Sequence, residues 1–128
     1  MKEISLKPTF AENSAAIEKI TNWKEEIRFW MVEVNAFLNV TAMFKLNCKP
    51  REKDALEETE MKMTVFQRQI LPGIESSVKS LELAVAGRYT GGLFREVETK
   101  IERGRKTYRE IKAGLLPFFP KFVHVQIW

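Results

Sequence analysis

The sequence predicts an all-α fold: an antiparallel up-down-up bundle of three long helices, the second kinked at Pro72, with an apolar C-terminal tail packed on the open end. Three observations predict it. Trp23, Trp30, Phe37 and Phe44 recur every seven residues, so four rings stack on one helical face with a drift of about 20° per step. Only two short breaks, at residues 47–50 and 87–92, interrupt the apolar patterns of helical period, and short connections join antiparallel neighbours. Beyond Gly114 the chain turns aromatic and carries Pro117 and Pro120.

In the first helix, Ile20, Ile27, Val34 and Thr41 run beside the ladder, and Ile17, Met31 and Leu38 complete a stripe roughly 100° wide. Thr9-x-x-Glu12 has the form of a capping box, and Asn13 or Ser14 offers a second cap. Neither Gly nor Pro follows until about Leu46, which predicts a rod roughly 50 Å long at 1.5 Å per residue. Pro50 suits the first position of the next helix, and Glu52 and Asp54 suit the positive end of its dipole.

The second helix is predicted from about residue 51 to 86. Leu56, Met63, Phe66, Ile70, Ile74, Val78, Leu81 and Val85 share one direction, while Pro72 points the other way. This favours a kink with Pro72 on the convex outer face over a break. Gly87 is a natural stop.

The third helix carries Phe94, Val97, Ile101, Gly104, Tyr108, Ile111 and Leu115 at steps of three and four. Glycine at the core-facing position 104 costs about 1 kcal/mol against alanine, which predicts close approach by a neighbouring helix or a large ring. Two prolines three residues apart preclude a regular α-helix after Gly114. The alternation of Val123, Val125 and Ile127 permits an extended segment.

Length separates the helices. The third, about 36 Å long at 1.5 Å per residue, runs out near Phe37 and leaves the far end of the other two open. Phe118, Phe119, Phe122, Val123 and Ile127 of the tail are expected to cover it. A second apolar stripe, Phe29, Val32, Ala36, Val40 and Met43, lies opposite the ladder. A helix with two apolar faces needs neighbours on both, which predicts self-association as a homodimer or contact with an unidentified protein partner.

The composition, 45% hydrophobic and 30% charged, is that of a globular chain, and no linker or internal repeat divides residues 1–128 into separate domains. No run approaches the 18 to 20 apolar residues of a membrane span, and no signal-peptide segment is evident near Met1. A single Cys48 allows no internal disulfide, so a cytoplasmic location is expected.

Catalysis is not expected, nor any metal or cofactor. No glutamate is followed three residues later by histidine, His124 stands alone, and Gly91-Gly92 lacks the lysine of a phosphate loop. Glu26, Glu33, Glu57, Glu60 and Glu98 read as partners for lysine and arginine rather than as a carboxylate cluster. Glu33, inside the apolar stretch, requires a cation such as an arginine. The expected function is therefore a non-catalytic interaction or structural module that self-associates. Nucleic-acid association is the alternative: the chain is +4, and Arg103, Lys106 and Arg109 form a candidate basic surface. Against it, the basic residues of the third helix interleave with Glu96, Glu98, Glu102 and Glu110, which marks a solvated face. A small apolar ligand held against the aromatic ladder is the third reading.

Overall fold

The structure, a computed structural model, describes the backbone of residues 10–87 and 91–122 and the side chains of residues 14–87 and 91–119. The Thr9 cap, the turn residues 88–90, the Phe122 side chain and the predicted extended segment with Val123 and Ile127 lie outside the described residues. Within them the architecture is the predicted one. Helix α1 spans Phe10–Asn47, and a second rod combines α2 (Pro50–Val65), a π-helical turn (Phe66–Ile70) and α3 (Leu71–Ala86). Helix α4 (Leu93–Leu115) runs on into a 3-10 helix, Leu116–Phe122.

Helix α1 has 38 residues, about 57 Å at 1.5 Å each. Its ladder is the spine of the core: Trp23, Trp30, Phe37 and Phe44 are all buried, flanked by Ile20, Ile27 and Val34. Thr41 is buried too, and its hydroxyl donates to the Phe37 carbonyl at 2.8 Å, so the polar group is satisfied within its own helix. Ile17 and Met31, expected in the stripe, are exposed. They sit at its margin, where α1 faces no neighbour closely enough to cover them.

The first turn of α2 is fixed locally. The Glu52 carboxylate accepts from the Lys49 backbone N–H at 2.9 Å, and the Glu52 N–H returns to the Lys49 carbonyl at 2.9 Å. Lys45, at the end of α1, donates to Glu60 of α2 at 2.9 Å and ties the two rods together beyond the turn. That hydrogen bond holds the lysine above its ordinary pKa. The attraction is therefore present at neutral pH, and on the alkaline side it is lost as pH climbs through the raised lysine value.

The second rod is one continuous helix, but Pro72 is accommodated differently from a simple kink. Buried positions follow steps of three and four from Leu56 through Thr59 and Met63 to Phe66, then jump five to Leu71 before resuming at Ile74, Val78, Leu81 and Val85. The π-turn absorbs the additional residue, and the Leu71 N–H bonds to the Phe66 carbonyl five residues back. Leu71, not the predicted Ile70, occupies the core; Ile70 is half-buried. Pro72 lies exposed in the first turn of α3, where the widened turn before it relieves the clash of its ring with the preceding carbonyls.

In α4, Val97, Ile101, Gly104, Tyr108, Ile111 and Leu115 are buried as the period predicts. A Cβ on Gly104 would stand 2.9 Å from the Ile74 side chain and 3.0 Å from the Trp30 ring. The missing side chain is what admits the indole. Gly114 likewise admits Thr59, whose hydroxyl would stand 2.7 Å from a Cβ there.

Tyr108 meets Trp30 and Phe37 with ring centroids 6.1 and 6.5 Å apart, but its buried hydroxyl has no hydrogen-bond partner among the described residues. An unsatisfied buried polar group costs about 1–3 kcal/mol. Tyr108→Phe is accordingly expected to keep the ring contacts and raise the unfolding free energy by about 1 kcal/mol. Urea denaturation measures it; a fall of that size would mean the hydroxyl is bonded.

The open end is closed as expected. Phe118 and Phe119 place their rings 6.2 and 6.1 Å from Phe44. As Pro117 and Pro120 require, the α-helix ends at Leu115, and the segment after it is wound as a 3-10 helix instead. Tighter winding carries the chain past α4 and lays both phenyl rings on the last rung of the ladder.

Candidate interaction surface

Side chains that reach solvent are distributed unevenly. Among the described residues nine large apolar side chains are exposed, and six of them (Ile17, Phe29, Met31, Val32, Met43 and Leu46) belong to α1. The residues of the second stripe divide. Phe29 is 52% exposed and leans edge-on toward Tyr108 of α4, with ring centroids 6.1 Å apart. Val32 is 67% and Met43 46% exposed. Ala36 is half-buried, and Val40, at 8%, belongs to the core. The five therefore do not make one continuous face; Phe29, Val32 and Met43 are what the stripe leaves to solvent.

The flank of α1 toward α4 also carries the charge expected to need a partner. Glu33 meets Lys112 at 3.9 Å, a lysine rather than an arginine, and the same ammonium lies 5.5 Å from the centre of the Tyr108 ring. The other four carboxylates named from sequence are paired too: Glu26 with Arg105, Glu57 and Glu60 with Lys45, Glu98 with Lys19. The strongest geometry is the fork of Arg105, whose Nε and Nη2 donate to the two Glu26 oxygens at 2.8 and 2.9 Å. No group of three His, Cys, Asp or Glu that could hold a metal ion occurs among the described residues. Cys48 is half-buried, with its thiol 3.7 Å from the Lys45 carbonyl.

Arg103, Lys106 and Arg109 are all exposed, and none has an ion-pair partner within 4.0 Å among the described residues. At 100° per residue they spread over about 120° of the α4 surface, and Glu102 and Glu110 stand in the same arc. The structure thus does not gather them into a single-sign stripe.

Among the described residues, the concavities between helices include the following pair. One, about 370 Å³, separates α1 from α3 and is bordered by Lys24, Arg28 and Met31 on one side and Glu75, Lys79 and Glu82 on the other. A smaller one, about 200 Å³, sits beside the π-turn at Ile70 and Gly73 and reaches Lys100 and Arg103 of α4. Neither is lined by a ring of the aromatic ladder. Sequence reasoning missed the larger groove, because its two walls are about fifty residues apart in the chain and neither carries a motif.

No described helix is long and apolar enough to cross a membrane. Comparison with family models, with curated proteins and with solved structures returns no match.

Proposed function

We propose that this protein is a non-catalytic helical interaction module that self-associates as a dimer through the flank of α1 bearing Phe29, Val32 and Met43, and that it works in the cytoplasm. The observation that carries this reading is the concentration of exposed apolar side chains on α1. In a helix that already buries one full face, a second exposed row of large side chains costs solvation, and a matching surface on a second copy recovers it. A two-fold contact uses the same patch twice, so a modest stripe suffices to start one.

Sedimentation velocity of the full chain tests the reading, with a concentration-dependent dimer expected at tens of micromolar. Phe29→Lys with Met43→Lys is expected to yield monomer with unchanged helicity, because both side chains already reach solvent. A wild-type chain that stays monomeric, or a double variant that dimerises as before, overturns it. The alternative, association with nucleic acid, draws on Arg103, Lys106 and Arg109 as exposed cations without ion-pair partners among the described residues. It is disfavoured by the glutamates among them.

A further inference from the structure

We infer that the groove between α1 and α3 is a binding site for an anionic amphiphile, a free aliphatic carboxylate. The carboxylate head lies between Arg28 and Lys79, and the alkyl chain lies along Ile27, Met31 and Val78.

Register comes first. The Lys24–Glu82 ion pair, 2.9 Å long, sets α1 against antiparallel α3. Advancing one turn along α1 while retreating one turn along α3 places Arg28 level with Val78 and Lys79, and the next step places Met31 level with Glu75. The lining from Lys24 to Val32 covers eight residue steps, about 12 Å of helix. The volume, about 370 Å³, falls at the lower end of the range of about 300–1,000 Å³ typical of small-molecule sites. Ile27 and Val78 are buried and form an apolar floor, while Met31 and Val32 stand exposed at one end. Met31 is unbranched and adapts its shape to a chain laid against it.

Charge then specifies the occupant. Five cations of the bundle reach across a helix boundary to a carboxylate: Lys19, Lys24, Lys45, Arg105 and Lys112. Arg28 and Lys79 do not, and they differ from the equally unpaired Arg103, Lys106 and Arg109 in standing on two helices that border one groove. Both border the groove from opposite walls, they carry the same sign, and neither has a carboxylate within 4.0 Å among the described residues. Glu82 is committed to Lys24 and closes one end; Glu75 lies a turn further on, at the level of Met31. An anion at the Arg28–Lys79 level supplies the missing charge, and an arginine fork is suited to a planar carboxylate. The apolar floor distinguishes such a ligand from a bare inorganic ion, which would leave Ile27, Met31 and Val78 without contact.

A second copy of this chain does not fit the groove. A two-fold axis centred on it, whether along or across the rods, sets Arg28 against a second Lys79 or a second Arg28, and like charges in contact oppose the pairing. Self-association uses the adjacent flank of α1, which shares only Val32 with the groove; the variants that test the two proposals, at Phe29 and Met43 and at Arg28 and Lys79, do not overlap, so their failures are distinguishable.

Titration of the full chain with decanoate tests the site, with decanol and decyltrimethylammonium as uncharged and cationic counterparts. Calorimetry gives affinity, and the methyl resonances of Met31 and Val78 report location. Decanoate is expected to saturate at one per chain and shift both resonances, decanol to bind at least about tenfold more weakly, and the ammonium not to bind. Arg28→Ala with Lys79→Ala is expected to weaken decanoate at least about tenfold with helicity intact, since both side chains are exposed. The inference is overturned if decanoate does not saturate, if decanol matches it, or if the double variant binds like the wild type. Sulfate that displaces decanoate at equal concentration also overturns it, since the apolar floor would then contribute nothing.

Discussion

Trp30→Ala is expected to lower the unfolding free energy by about 3–5 kcal/mol, the range for removal of a large buried aromatic side chain. The upper part of that range applies here, because the indole has no substitute. It is 2% exposed, sits 5.9 Å from the Phe66 ring and 6.1 Å from the Tyr108 ring, and fills the space left by the absent side chain of Gly104. Three rods meet at this ring, so the cavity cannot collapse by moving one side chain. Urea or thermal denaturation followed by circular dichroism measures the loss. The complementary change makes the argument specific. Gly104→Leu alone is expected to destabilise, since its Cβ already crowds Trp30 and Ile74. In the Trp30→Ala background the same leucine enters the vacated space and restores part of the stability. A leucine equally harmful in both backgrounds would show that the two positions do not share a volume.

Deletion of Gln69 is expected to cost about 3 kcal/mol while Pro72 is present, the usual penalty of proline inside a regular helix. Gln69 is exposed, so burial of its own side chain contributes little. Its backbone matters because it belongs to the π-turn. Removing it shortens the five-residue step from Phe66 to Leu71 to four, which a plain α-helix satisfies, and the proline ring then meets the carbonyl four residues behind it. With Pro72→Ala the deletion is expected to be tolerated to within about 1 kcal/mol, since alanine restores the N–H and removes the ring. Pro72→Ala alone changes little, because the π-turn is also held by burial of Phe66 and Leu71 on either side. A deletion equally damaging with and without the proline would detach the π-turn from Pro72 and leave core register as its only cause.

The ladder of α1, the continuity of the second rod and the covering of Phe44 by Phe118 and Phe119 were legible because each depends on periodicity or length along a single chain segment. Gly104 was legible for a related reason: a glycine in a core-facing position implies something large across from it. Leu71 was not. Ile70 and Leu71 both suit a core, and the choice depends on where the rod takes up one additional residue, which neighbouring helices settle. Of the candidate surface, Phe29, Val32 and Met43 emerge exposed while Val40 does not. Position on the helical wheel alone did not separate them.

Sequence by itself therefore determined that three rods form, which side of each is apolar, and how far each extends, since backbone geometry rotates every residue by a fixed angle about its own helix axis. Tertiary structure decided which margins of those apolar sides are covered, that Glu33 finds Lys112 rather than an arginine, and that Arg28 and Lys79 border one groove. These depend on the distance and stagger between axes. Such quantities arise from the fit of side chains from remote parts of the chain, and no pattern within one helix contains them.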